Sequence, residues 1–252
     1  MKMNTARRVV AAKVTQSWQN IPHVAYLYEP DVTELLTVFQ QLRTRCPYPL
    51  TLNTLLLWII TQGLKEAPYL NARCQFDPTT NRGDVEPLPH IHIDIPWLFP
   101  GGQMLTVTAR DMQDLDVFQM AACLSELRSR VNRTDPEQLI RQTFQHTASS
   151  SFTLKPEELG KGTVTVSNIG SICKYSGHLA LMEILPPQVF AVGINSLQQK
   201  PAVLHGSVVP RKILPLSLFF DHRALDSHHL LPFLDCVNGY FLEPHRIEAC
   251  IS

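Results

Sequence analysis

The chain has 252 residues, 44% of them hydrophobic, and 22 Lys+Arg against 22 Asp+Glu. That is enough apolar material for one large core, which excludes a disordered tail, and the zero formal charge argues against bulk electrostatic capture of nucleic acid or an anionic membrane. The longest unbroken apolar run, Leu55 to Ile60, is far short of the roughly 18 residues that span a bilayer, and Val9 to Ala12 are too few for a secretory core, so the expected location is cytoplasmic.

Residues 6–17 read as a short helix and His23 to Glu29 as a strand stopped by Pro30. Asp31 and Glu34 have the spacing of a capping box, ahead of Val32, Leu35, Leu36, Phe39 and Leu42 at helical intervals. A second helix is predicted from Leu52 to Lys65, ending before Pro68. His90, His92 and Asp94 alternate with Ile91, Ile93 and Ile95, which predicts a strand with one buried face and one solvated or hydrogen-bonded face.

Leu105 to Val107 suits another strand, followed by an amphipathic helix carrying Val117, Met120, Ala121, Leu124, Leu127 and Val131. A helix from Pro136 to Gln145 and a mobile loop at Ser149-Ser150-Ser151 come next. Three strands at 163–167, 189–194 and 213–220 complete the sheet. The last is almost wholly apolar, as in a central strand, while Pro215 predicts a bulge or an edge there. Asp226 to Phe241 closes the pattern as a helix. Strands interleaved with helices predict an α/β fold, an α+β two-layer sandwich with helices flanking a mixed sheet, in a single domain over 1–252.

Dinucleotide, P-loop, serine-hydrolase and zinc-protease motifs are all absent from the sequence. Histidine stands four residues before aspartate twice, as His90/Asp94 and His222/Asp226, and spacing alone does not choose between them. Context does. His90 lies inside an alternating strand, whereas His222 follows a long apolar strand and precedes a helix, the position of a ligand-facing loop. A neutral imidazole there suits general-base work on a thiol. Asp221, His222, Asp226, His228 and His229 also crowd N and O donors together, but no spacing typical of zinc is met, and adjacent histidines seldom face one ion, so no metal is expected. The six scattered cysteines read as reduced thiols.

Asp221-His222-Arg223-Ala224-Leu225-Asp226, after Leu216-Ser217-Leu218-Phe219-Phe220, closely resembles the catalytic domain of the dihydrolipoamide acyltransferases of 2-oxoacid dehydrogenase complexes, relatives of chloramphenicol acetyltransferase. Ile21-Pro22-His23 with Asp31 to Leu35, Pro68 to Ala72, Gly162 to Gly170, Pro186-Pro187-Gln188 with Gly193, and Lys200-Pro201 fit the same family in the same order.

The resemblance implies a chloramphenicol-acetyltransferase-like fold, a homotrimer or a larger assembly of trimers, and an active site at the trimer interface. It also implies coenzyme A or acyl-CoA as substrate. His222 would be the base, Asp226 would orient the loop through an ion pair, and Ser167 would donate to the oxyanion, from the adjoining subunit. No Asp-Lys-Ala lipoyl-attachment tripeptide occurs, so a lipoyl domain or other acyl carrier is expected in trans.

Three departures from the family pattern stand out: Ser227 where glycine is usual, Pro232 inside the last helix, and Lys13 where an arginine usually meets the motif aspartate. They predict a strained loop, a kink and a weakened contact. The leading reading is a free-standing acyltransferase acting on a thiol, amine or hydroxyl acceptor. A catalytically decayed trimeric scaffold and an amide- or ester-forming condensation enzyme are its alternatives.

Overall fold

The computed structural model describes residue 3 and residues 5–145 and 153–251; Ser149-Ser150-Ser151 lies outside the described residues. Helix α1 (Thr5–Asn20) leads into strand β1 (His23–Tyr28) and helices α2 (Thr33–Arg45) and α3 (Leu52–Glu66). Thr51 caps α3 by accepting the Thr54 N–H. The box expected ahead of α2 does not form. Val32 takes the cap position, Asp31 accepts the N–H and hydroxyl of Thr33, and Arg211 clamps Asp31 and Glu34 together at 2.5 and 3.1 Å. A charge-assisted partner brought in by the fold displaces the local one.

The chain continues through β2 (Ala72–Asp77), β3 (Arg82–Pro87), β4 (Ile93–Leu98), β5 (Met104–Ala109), α4 (Val117–Arg133), α5 (Pro136–Gln145), β6 (Val164–Asn168) and β7 (Phe190–Ile194). Then come β8 (Gln198–Leu204), β9 (Ser207–Ile213), β10 (Leu216–Asp221), a 3-10 turn over Ser227–Leu230, and α6 (Leu231–Leu242). All six apolar positions predicted for α4 are buried. Pro232 falls in the first turn of α6, where a missing N–H leaves no hydrogen bond broken, so the expected interior kink does not arise.

Six strands form one mixed sheet in the order β1-β10-β7-β6-β4-β5, with β6 parallel to β4 and β7 and the other neighbours antiparallel. β10 is paired on both sides. Pro215 lies just before it rather than on an edge, and its carbonyl accepts the backbone N–H and side-chain amide of Asn195. Two hairpins, β2–β3 and β8–β9, stand outside this sheet.

Alternation gives the sheet two unlike faces. Leu216, Leu218 and Phe220 of β10, Val164 and Val166 of β6, and Ile93 and Ile95 of β4 join the main apolar core with Leu55, Ile59, Met120, Phe233 and Val237 of the helices. Asp94, Thr165, Ser167, Ser217 and Asp221 alternate with them. The opposite face has a small apolar cluster of Ile21, Met182, Ile184, Ala191 and Phe219. Beside it runs a buried polar chain in which Thr108 donates to Asp94, Gln188 donates to Asp94 and to the Gly162 carbonyl, and Thr165 donates to Gln188. Gly162 is needed there, because a Cβ would sit 2.5 Å from Asp94 Cγ.

This corrects the expectation for 90–95. The strand begins at Ile93, His90 pairs with Asp111 at 2.9 Å, and Asp94 is fully buried. Both faces of β4 are covered where the sequence predicted one.

Candidate active site

β10 ends on Asp221, whose side chain is wholly buried. Arg223 folds back over it: its backbone N–H donates at 2.9 Å, its Nε at 3.0 and 3.2 Å and its Nη2 at 2.6 Å. The Asp221 carbonyl accepts the N–H groups of Ala224 and Leu225, both at 3.0 Å. A buried ion pair with its acceptors filled thus locks a tight turn at the end of a rigid strand. Cys74 lies within the field of this pair, a neighbour that the sequence did not reveal. Burial, with Asp221 adding to it, pushes its thiol above the ordinary range, which marks a thiol that resists ionisation.

His222 projects from that turn with its imidazole half exposed. Its backbone N–H donates to Pro22, and Phe220 meets its ring edge-on at 6.0 Å. Nδ1 lies 3.0 Å from the Leu225 carbonyl and 3.6 Å from Asp226 Oδ1. Donating Nδ1–H to Leu225 leaves the lone pair on Nε2, which is the tautomer a general base needs.

Asp226 is about two-thirds exposed, and its ion pair among the described residues is with His222. The charge of Lys13 acts instead on Asp94. Ser227 opens the 3-10 turn and is not among the described residues with left-handed backbone, so serine fits where strain was expected.

Ser167 lies elsewhere. It is level with Gly193 on β7, which is level with Ser217 on β10. The adjacent Asn168 donates to Asn53 at 2.7 Å and accepts the Ser171 N–H at 3.0 Å. A Cβ at Gly170 would collide with the Asn195 carbonyl, so this loop is pressed against the strand beside it.

The five-residue donor set separates. Asp221 is committed to Arg223 and His222 Nδ1 faces Leu225, while Asp226, His228 and His229 bring one ligand atom each within 4.8 Å of the others. No described helix is long and apolar enough to cross a membrane.

Residues 1–148 and 138–249 match the family described as 2-oxoacid dehydrogenases acyltransferase (catalytic domain). The chain belongs to that family. The lipoamide acyltransferase component of the branched-chain alpha-keto acid dehydrogenase complex of Pseudomonas aeruginosa is 28% identical over 243 residues, 94% of this chain and 50% of that one. The acetyltransferase component of the acetoin cleaving system of Bacillus subtilis is 26% identical, covering 94% and 54%. The chain therefore spans about half the length of these curated relatives.

Among solved structures, the dihydrolipoamide acetyltransferase of Azotobacter vinelandii superposes with a TM-score of 0.75 at 22% identity, over 98% of this chain and 93% of that one. A chloramphenicol acetyltransferase superposes with a TM-score of 0.54 at 13% identity, over 95% and 96%. The family and the fold agree with those implied by the Asp221–Asp226 motif.

Proposed function

We propose that this chain transfers an acyl group between coenzyme A, or another carrier thioester, and an acceptor thiol, with amines and alcohols as further acceptor classes. The observation that carries this reading is His222, on a clamped turn, with Nδ1 facing a carbonyl and Nε2 without a hydrogen-bond partner among the described residues. Nε2 takes the proton of the incoming thiol, and the thiolate adds to the thioester carbonyl. Ser167 of a neighbouring subunit donates its hydroxyl to the oxyanion. The tetrahedral adduct collapses, its C–S bond to the outgoing thiolate breaks, and that thiolate takes the proton back from His222. A general base of this kind contributes about 10²–10⁴-fold, and one oxyanion donor about 10²–10³-fold.

Two solved structures are in keeping with this assignment. The Azotobacter vinelandii structure concerns a serine, a histidine and an asparagine in the catalytic mechanism of its acetyltransferase. Another matched structure is the cubic core of a pyruvate dehydrogenase multienzyme complex, in keeping with a homotrimer or an assembly of trimers here. The carrier would be a lipoyl domain, and the setting cytoplasmic. The alternative of a decayed scaffold drew on Ser227, Pro232 and Lys13, and the first two fit the backbone without distortion.

The test incubates the full chain with a panel of acyl-CoAs and with dihydrolipoamide, amines or alcohols. Acceptor-dependent release of coenzyme A that is lost in His222→Ala is expected. No release with any acceptor overturns the proposal.

A further inference from the structure

The hydroxyl of Ser167 has no hydrogen-bond partner among the described residues, so where it stands depends on how the end of β6 is held. The next residue does the holding. Alternation puts Asn168 on the helix-covered face with Val164 and Val166, opposite to Ser167. Its Nδ2 donates to Asn53 Oδ1 at 2.7 Å, its Oδ1 accepts the Ser171 N–H at 3.0 Å, and its carbonyl accepts the Ser171 hydroxyl at 2.8 Å. One carboxamide therefore caps the 3-10 turn Ile169–Ser171 and ties the strand to a helix.

That helix is a firm anchor. Asn53 lies in the first turn of α3, beside the Thr51 cap, and the residues that follow it, Leu55, Leu56, Ile59 and Ile60, are buried in the main core. On its other side the loop after β6 abuts Asn195, where a Cβ on Gly170 would stand 2.4 Å from the carbonyl oxygen. The Ser167–Asn168 end of the strand is thus seated between α3 and the backbone that extends β7. Asn53 and Asn168 are 115 residues apart in the chain, so the tie is made by the fold and leaves no trace in either local sequence.

We propose that Asn53 is a positioning residue for acyl transfer, acting through Asn168 to set the Ser167 hydroxyl at the oxyanion. This role rests on the proposed function and adds no group to the reacting atoms. A catalytic group displaced by about 1 Å can lose about 10²-fold in rate, and a whole oxyanion donor is worth about 10²–10³-fold. Losing the tie leaves the pairing of Ser167 and Asn168 with Gly193 and Ile194 in place, so the expected cost is smaller, about tenfold.

Steady-state acyl-transfer kinetics on variants of the full chain test this, with folding checked by circular dichroism. Asn53→Ala removes the acceptor without weakening the helix, because alanine is the better helix former. It should lower kcat about tenfold and leave KM for the acyl-CoA unchanged. Asn53→Asp keeps an oxygen for the Asn168 amide, and a carboxylate is favoured in a first helical turn, so it should turn over like the parent. In a Ser167→Ala background, Asn53→Ala should cost nothing further, since no hydroxyl is left to place. An active parent whose Asn53→Ala variant keeps its kcat overturns the role and leaves acyl transfer standing. So does an aspartate variant as slow as the alanine one, a loss that adds to that of Ser167→Ala, or an Asn53→Ala chain that no longer folds. A parent that releases no coenzyme A with any acceptor overturns the proposed function, and this role with it.

Discussion

Ser167 and His222 of one chain stand at opposite ends of the central sheet: Ser167 is level with Ser217 across two strand pairings, and His222 lies beyond the far end of β10. The offset amounts to about 17 Å along the strands and about 10 Å across them. A proton acceptor and an oxyanion donor must both reach one carbonyl, so the two residues can cooperate only when they come from different copies of the chain. Oligomers assembled at random from Ser167→Ala and His222→Ala chains should therefore regain activity, since roughly a quarter of interfacial sites would combine an intact histidine with an intact serine. Co-expression with two affinity tags and an acyl-transfer assay reads this out. Mixed oligomers as inactive as either parent variant would exclude an intersubunit site.

The turn that carries His222 depends on a buried charge pair. Removing the guanidinium leaves the buried Asp221 carboxylate with the backbone N–H of residue 223 as its remaining donor, and breaking a buried pair in this way typically costs about 3–5 kcal/mol. Arg223→Ala should lower the unfolding free energy by about that amount in a urea titration. Arg223→Lys should recover only part of it, because an ammonium cannot reproduce contacts to both carboxylate oxygens.

Asp226 and the Leu225 carbonyl compete for Nδ1 of His222, and the carbonyl is the nearer by 3.0 Å against 3.6 Å. An exposed ion pair is worth about 0–1 kcal/mol, so Asp226→Asn should reduce kcat by no more than about fivefold. His222→Ala should reduce it about 10²–10⁴-fold with an unchanged melting temperature. Equal losses in the two variants would make Asp226 a full partner in the chemistry instead of a positioning residue.

Asp94 gives stability an unusual pH dependence. Burial pushes its pKa up, with hydrogen bonds from Thr108, the Gly162 backbone and Gln188 and the charge of Lys13 offsetting part of the rise. A carboxyl whose folded pKa exceeds the unfolded value of about 3.9 holds its proton more tightly in the native state. Its contribution is fully present below that unfolded value and is lost as pH rises through the folded one. Thr108→Val removes one donor and should cost about 1–3 kcal/mol at pH 7, with a smaller loss at pH 5, where Asp94 is closer to neutral. Thermal denaturation at the two pH values measures the difference, and equal losses would mean that Asp94 does not titrate in this range.

Local signals carried the helices well. The period of Val117, Met120, Ala121, Leu124, Leu127 and Val131 is that of a helix lying on a core, and these are the buried positions of α4. The Asp221–Asp226 motif likewise pointed to the turn after a central strand. What stayed hidden was long-range. Alternation placed Asp94 on a face of β4 but carried no sign that Gly162 and Gln188 would cover it. The β8–β9 hairpin escaped because Val203, Leu204 and Val208 face solvent and Pro201 and Pro210 interrupt any alternation, although His205 and Gly206, with φ of 49° and 80°, form the tight turn that its twist demands. The distance between Ser167 and His222 emerges only from strand register, which no local pattern encodes.

The unlike faces of the sheet also divide the heritable consequences of mutation. A substitution at Leu218 or Val166 strikes the apolar packing, whereas one at Thr165 or Ser217 strikes a buried hydrogen bond on the face that also carries Ser167, the proposed oxyanion donor. The proposed chemistry and the apolar packing thus draw on different residues of the same strands.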